Sequence, residues 1–125
     1  MSHFWTRKFL SRPGKKRAPR PITLSTNAAG VTLSAGSDGA TMIAWDQVKR
    51  MVAFKRDVYA YDMICLLIEL VPRGVVEVNE SMPGWKELVH AVETQLPGAK
   101  PYAEWFMPVT FPAFETSPVD IFKRV

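Results

Sequence analysis

The chain has 125 residues, 47% of them hydrophobic and 22% charged, with ten prolines and one cysteine. That length fills one hydrophobic core and excludes a second full domain. A lone Cys65 excludes an intramolecular disulfide framework or a cysteine-rich zinc site, so the fold must rest on its apolar core, in a reducing compartment. The net charge of +4 is unevenly spread: residues 1–20 hold Arg7, Lys8, Arg12, Lys15, Lys16, Arg17 and Arg20 with no acid, while the remaining 105 residues hold nine basic and twelve acidic side chains. An acidic body argues against extensive nucleic-acid contact. The longest apolar stretch, Met63 to Ile68, is far below the roughly 20 residues of a membrane-spanning helix.

The first twenty residues interleave those cations with Phe4, Trp5 and Phe9 and end in RPGKKRAPR, followed by Pro21. Pro13, Gly14, Pro19 and Pro21 oppose a continuous helix or strand and like charges repel, so a flexible basic arm is expected over 1–20. Arg7 and Lys8 interrupt FWTRKFL, which does not suit the apolar core of a signal peptide.

From Ile22 the pattern changes to period two. Ile22 and Leu24 alternate with polar residues, Asn27-Ala28-Ala29-Gly30 reads as a turn, and Val31 and Leu33 resume the alternation, which predicts a hairpin. A second turn at Ala35 to Gly39 leads to Met42 and Ala44, then to Trp45-Asp46-Gln47-Val48, where Asp46 is expected to cap a single turn. The chain is extended again through Val52, Phe54 and Arg56. Met63 to Val71 is a nearly continuous apolar run, as in a strand covered on both faces, and Val76 and Val78 alternate after the turn at Pro72-Arg73-Gly74.

One helix follows. Ser81 precedes Met82-Pro83, with proline expected in the first helical turn, and Pro97-Gly98 ends the helix. Trp85, Leu88, Val89, Val92 and Leu96 fall within about 100° of one another on the helical circumference, a core-facing stripe, while Lys86, Glu87, His90 and Glu93 project elsewhere. Beyond Lys100 come Pro101, Tyr102, Trp105, Phe106, Pro108, Phe111, Pro112, Phe114 and Pro118. Such frequent proline argues against a helix or interior strand and the aromatics against a solvated tail, so an extended segment packed on the body is expected over 99–125.

Chemistry-bearing residues are few. Cys65 lies within MICLLI and reads as a buried core thiol rather than a nucleophile. His90 reads as a surface histidine, and His3 belongs to the arm. No metal-ligand spacing or phosphate-loop pattern appears in the sequence, and no cofactor is expected. Lys55-Arg56-Asp57, with Asp62 five residues on, is the most unusual polar cluster of the body: it suits a ligand-binding strand end and equally a local ion-pair network. The arm, with Trp5, Arg7, Lys8 and Phe9, suits an anionic membrane surface or nucleic acid, and equally a solubilising leader.

The order of short strands, the Ala44-Trp45-Asp46-Gln47-Val48 junction, further strands and one amphipathic helix, over about residues 21–97, resembles the bacterial pleckstrin-homology-like superfamily. The segment AFKRDVYAYDMICL with the later GW and LPG also resembles a bacterial family of small, uncharacterised proteins. The superfamily resemblance implies a mainly β, α+β fold over 21–98: a small curved barrel of six or seven strands, its opening plugged by the stripe of Trp85, Leu88, Val89, Val92 and Leu96. It also implies a non-enzymatic binding module that contacts a protein partner. With the arm, the expectation is a cytoplasmic protein that can sit peripherally at the inner membrane face, with Lys55, Arg56, Asp57 and Asp62 as binding residues. Two alternatives stand beside it: an antitoxin or immunity protein that neutralises a cognate effector, and a small hydrolase using Asp57 and Asp62.

Overall fold

In the computed structural model, residues 22–58, 61–111 and 118–124 are described. They form two antiparallel sheets and two α-helices. The first sheet contains β1 (Thr23–Thr26), β2 (Gly30–Ser34) and β3 (Ala40–Ala44) in chain order. The second contains β4 (Val48–Val58), β5 (Tyr61–Leu70), β6 (Val75–Asn79) and β7 (Val119–Lys123) in the order β6-β5-β4-β7. Among the described residues no strand of one sheet pairs with a strand of the other, so the main chain does not close them into a barrel.

The expected hairpin is β1–β2. Its turn is built by Asn27, whose side-chain oxygen accepts from the main-chain nitrogens of Ala29 at 2.8 Å and Gly30 at 3.1 Å. Gly30 is required by contact rather than by the turn: a Cβ there would collide with the Ile43 carbonyl of β3. The register pairs Leu24 with Leu33 and Val31 with Ile43, so these residues share one buried face, while Met42 lies on the exposed face of β3. In the second sheet, Met51, Ala53 and Lys55 lie opposite Ile68, Leu66 and Ile64, and Val76 and Val78 continue that face. Both apolar faces belong to one core cluster, together with the helical stripe.

The single turn between β3 and β4, Trp45–Gln47, is not capped by Asp46. Asp46 is exposed, and the side-chain oxygen of Gln47 instead accepts from the Ala44 nitrogen at 2.8 Å. Three further contacts fix this junction. The Trp45 indole donates to the Asn27 carbonyl at 2.9 Å, and Arg124 donates to the carbonyls of Val48 at 3.0 Å and Trp45 at 3.2 Å.

Helix α1 spans Trp85–Gln95 and buries Trp85, Leu88, Val89 and Val92, with Leu96 buried just past its end. It begins two to three residues later than the sequence suggests. Gly84 takes a left-handed φ of 93° and the Pro83 carbonyl accepts from Leu24, so Met82–Gly84 form a turn before the helix. Just before this turn, Ser81 donates from its main-chain nitrogen and its hydroxyl to the Asn79 side-chain oxygen.

The C-terminal segment departs from the expectation of an extended chain. Tyr102–Thr110 is a second helix, α2, and Val119–Lys123 is β7, paired to β4. Tyr102, Trp105, Phe106 and Val109 recur at helical spacing, and burying Trp105 and Val109 outweighs the hydrogen bond that Pro108 cannot donate to Glu104. Pro101 sits at the helix boundary, where it does no harm. Tyr102 packs its ring edge-on to Trp105 at 4.9 Å, so part of the aromatic segment is held within the chain itself, while Met107 and Phe111 stay 55% and 58% exposed. No helix of the described residues is long and apolar enough to cross a membrane.

Candidate functional site

Adjacent residues on a strand point to opposite faces, and this separates the polar cluster of β4 and β5. Lys55 is on the core face and only 4% exposed. Its Nζ donates to the Thr110 carbonyl at 2.8 Å and lies 3.4 Å from Asp62 Oδ2, so it caps the C-terminal end of α2 while balancing a neighbouring carboxylate. Asp57 stands opposite Asp62 in the register; its side chain is outside the described residues. Arg56 projects from the other face and forms a fork with Glu77, at 2.7 and 2.6 Å, while lying over the Phe54 ring at 5.3 Å. Glu77 pushes the Arg56 pKa up. The structure thus brings Lys55 and Asp62 together and sets Arg56 apart from them. The arm residues Trp5, Arg7, Lys8 and Phe9 lie outside the described residues.

Cys65 is fully buried on the Arg56 face, in the rung between Phe54 and Asn79. Burial, and after it the Glu77 carboxylate, push its thiol up to about 12, so the nucleophilic thiolate is scarce at neutral pH. Arg50 bridges three strands of the same sheet, 2.7 Å from Asp120 of β7 and 3.3 Å from Glu69 of β5. Among the described residues no group of three His, Cys, Asp or Glu side chains is placed to hold a metal ion.

A concave surface lies away from this cluster. A groove of about 760 Å³ runs along the first half of α1, between the β6–α1 connection and Tyr102 at the start of α2. Met82, Trp85 and Val89, each less than a tenth exposed, form its floor, and its accessible apolar surface is that of Pro83 and the Tyr102 ring. Among the described residues, Glu80, Glu87 and Glu93 give it three carboxylates against the one cation of Lys86, and His90 completes the outer wall. Two of the carboxylates are held by the main chain: Glu80 accepts from the Ile64 nitrogen and Glu93 from the Tyr102 nitrogen, each at 2.8 Å. Burial first, then Glu80, raise the Tyr102 pKa, which keeps the phenol neutral. The groove therefore combines fixed acceptors and negative charge with aromatic and aliphatic surface, a chemistry suited to cationic side chains with apolar neighbours.

The sequence carried one trace of this surface: Lys86, Glu87, His90 and Glu93 occupy the polar arc of the α1 wheel. The contributions of Glu80 and Tyr102 depend on how β5 and α2 pack, which no local pattern specifies. The chain matches no family model, no curated protein and no solved structure.

Proposed function

We propose that this chain is a non-enzymatic binding module of pleckstrin-homology-like architecture, acting through protein contacts, and that the groove beside α1 receives a partner segment rich in lysine or arginine and aromatic side chains. One observation carries the reading: the groove places Glu80, Glu87 and Glu93 around exposed Pro83 and the partly exposed Tyr102 ring. The fold reading is supported by two antiparallel sheets with the Trp85 and Leu88 stripe of α1 buried in their common core. In this reading the cationic and aromatic residues of the arm also suit an anionic inner membrane face, which co-sedimentation with anionic and neutral vesicles would separate from protein binding.

Charge reversal tests the groove. Glu87→Lys in the full chain should weaken partner binding at least about tenfold, since a rim charge is converted from attraction to repulsion, with little change in folding stability. Thr23→Lys, on exposed β1, is the control. Equal binding by the Glu87 variant and wild type, or equal loss in both variants, would overturn the assignment.

A further inference from the structure

We infer that residues 1–20 are an internal ligand of the groove, so that this arm and an external partner compete for one surface. The inference rests on the groove being a recognition surface, as proposed above, and adds its regulation.

Three observations support this occupant. The first is where the arm joins the body. Leu24 lies four residues beyond the arm, and its main-chain nitrogen donates at 2.7 Å to the carbonyl of Pro83, a residue of the groove wall. The second is charge. The arm carries seven cations and no acid, and the groove carries three carboxylates against one lysine. The third is apolar chemistry: Phe4, Trp5 and Phe9 in the arm match the accessible surface of Pro83 and Tyr102. Reach poses no obstacle, because twenty residues can span up to about 65 Å when extended. A tethered segment also acts at an effective concentration on the order of millimolar, so weak contacts suffice for substantial occupancy. An external partner then meets a groove that is only fractionally open, and its apparent affinity falls by that fraction.

Paramagnetic relaxation in the full chain tests this directly. A nitroxide is attached at Ser11→Cys, while the buried native Cys65 resists labelling. The expected result is strong, selective broadening of the Lys86, Glu87, His90 and Glu93 amides relative to those of the β4–β5 hairpin. It should be lost in Glu87→Lys and at high salt. Uniform broadening, or none at α1, would overturn the inference. Broadening that appears only between labelled and unlabelled copies would also overturn it, by assigning the groove to a second chain. If selective broadening is absent while Glu87→Lys still weakens binding of a lysine- and aromatic-rich synthetic peptide at least about tenfold, the internal ligand fails and the groove assignment stands; if both are negative, both fail.

Discussion

The main-chain nitrogen of Leu24 donates to the Pro83 carbonyl at 2.7 Å, tying the first strand to the turn that opens α1. The contact is close enough that a Cβ on the next residue, Gly84, would run into the Leu24 carbonyl, and the Gly84 φ of 93° independently favours glycine. Gly84→Ala should therefore cost about 3 kcal/mol, combining left-handed strain with displacement of β1. Urea denaturation would measure it, and a loss below about 1 kcal/mol would mean that the turn adapts freely.

Lys55 and Asp62 form a second anchoring point. Replacing Lys55 by methionine removes the donor to Thr110 and leaves Asp62 without its 3.4 Å cation, at an expected cost of about 3 kcal/mol. Adding Asp62→Asn should restore part of that loss, because the remaining charge is then neutral. A double-mutant cycle in which the two effects simply add would contradict the coupling.

Cys65 gives a pH signature. Its thiol is held at about 12 in the folded chain, above the ordinary value of about 8.5 in an unfolded one. Above pH ~8.5 the unfolded state loses a proton that the folded state keeps, so this contribution is fully present below that pH and is lost progressively up to pH ~12. Its slope is at most about 1.4 kcal/mol per pH unit. The alkaline decline in stability should be shallower in Cys65→Ala, and native Cys65 should resist thiol reagents at pH 8 until the protein unfolds. Rapid native labelling would contradict the burial.

Thr41 is buried on the core face of β3, and its hydroxyl has no hydrogen-bond partner among the described residues. Thr41→Val keeps the shape and the strand preference while removing a desolvated hydroxyl, and should raise stability by about 1 kcal/mol. A thermal melt compares the two; a destabilised variant would indicate a partner for that oxygen.

What could be read locally was legible in the sequence, and what depends on distant packing was not. The β1–β2 hairpin and the stripe from Trp85 to Leu96 follow from periods of two and 3.6 residues, which need only neighbouring side chains. Helix α2 is masked in the sequence because Pro101 and Pro108 oppose a helix, although Tyr102, Trp105, Phe106 and Val109 recur at i, i+3, i+4 and i+7. Lys55 and Asp62 were visible as charged residues. Their partner Thr110, 55 positions further on, was not. The strand alternation that sends Arg56 away from Lys55 could have been anticipated, whereas a groove joining Glu80, Trp85 and Tyr102 exists only once α1 and α2 have docked.

Site-specific photo-crosslinking in cells is the most direct measurement of the groove's role. A photoreactive side chain replaces His90 on the groove wall or, as the control, exposed Thr23 on β1. The expected result is one discrete partner crosslinked from position 90 and not from position 23, through a segment rich in lysine or arginine with aromatic neighbours, and lost on Glu87→Lys. Crosslinking equal at both positions, or unaffected by Glu87→Lys, would contradict the groove as the interaction surface.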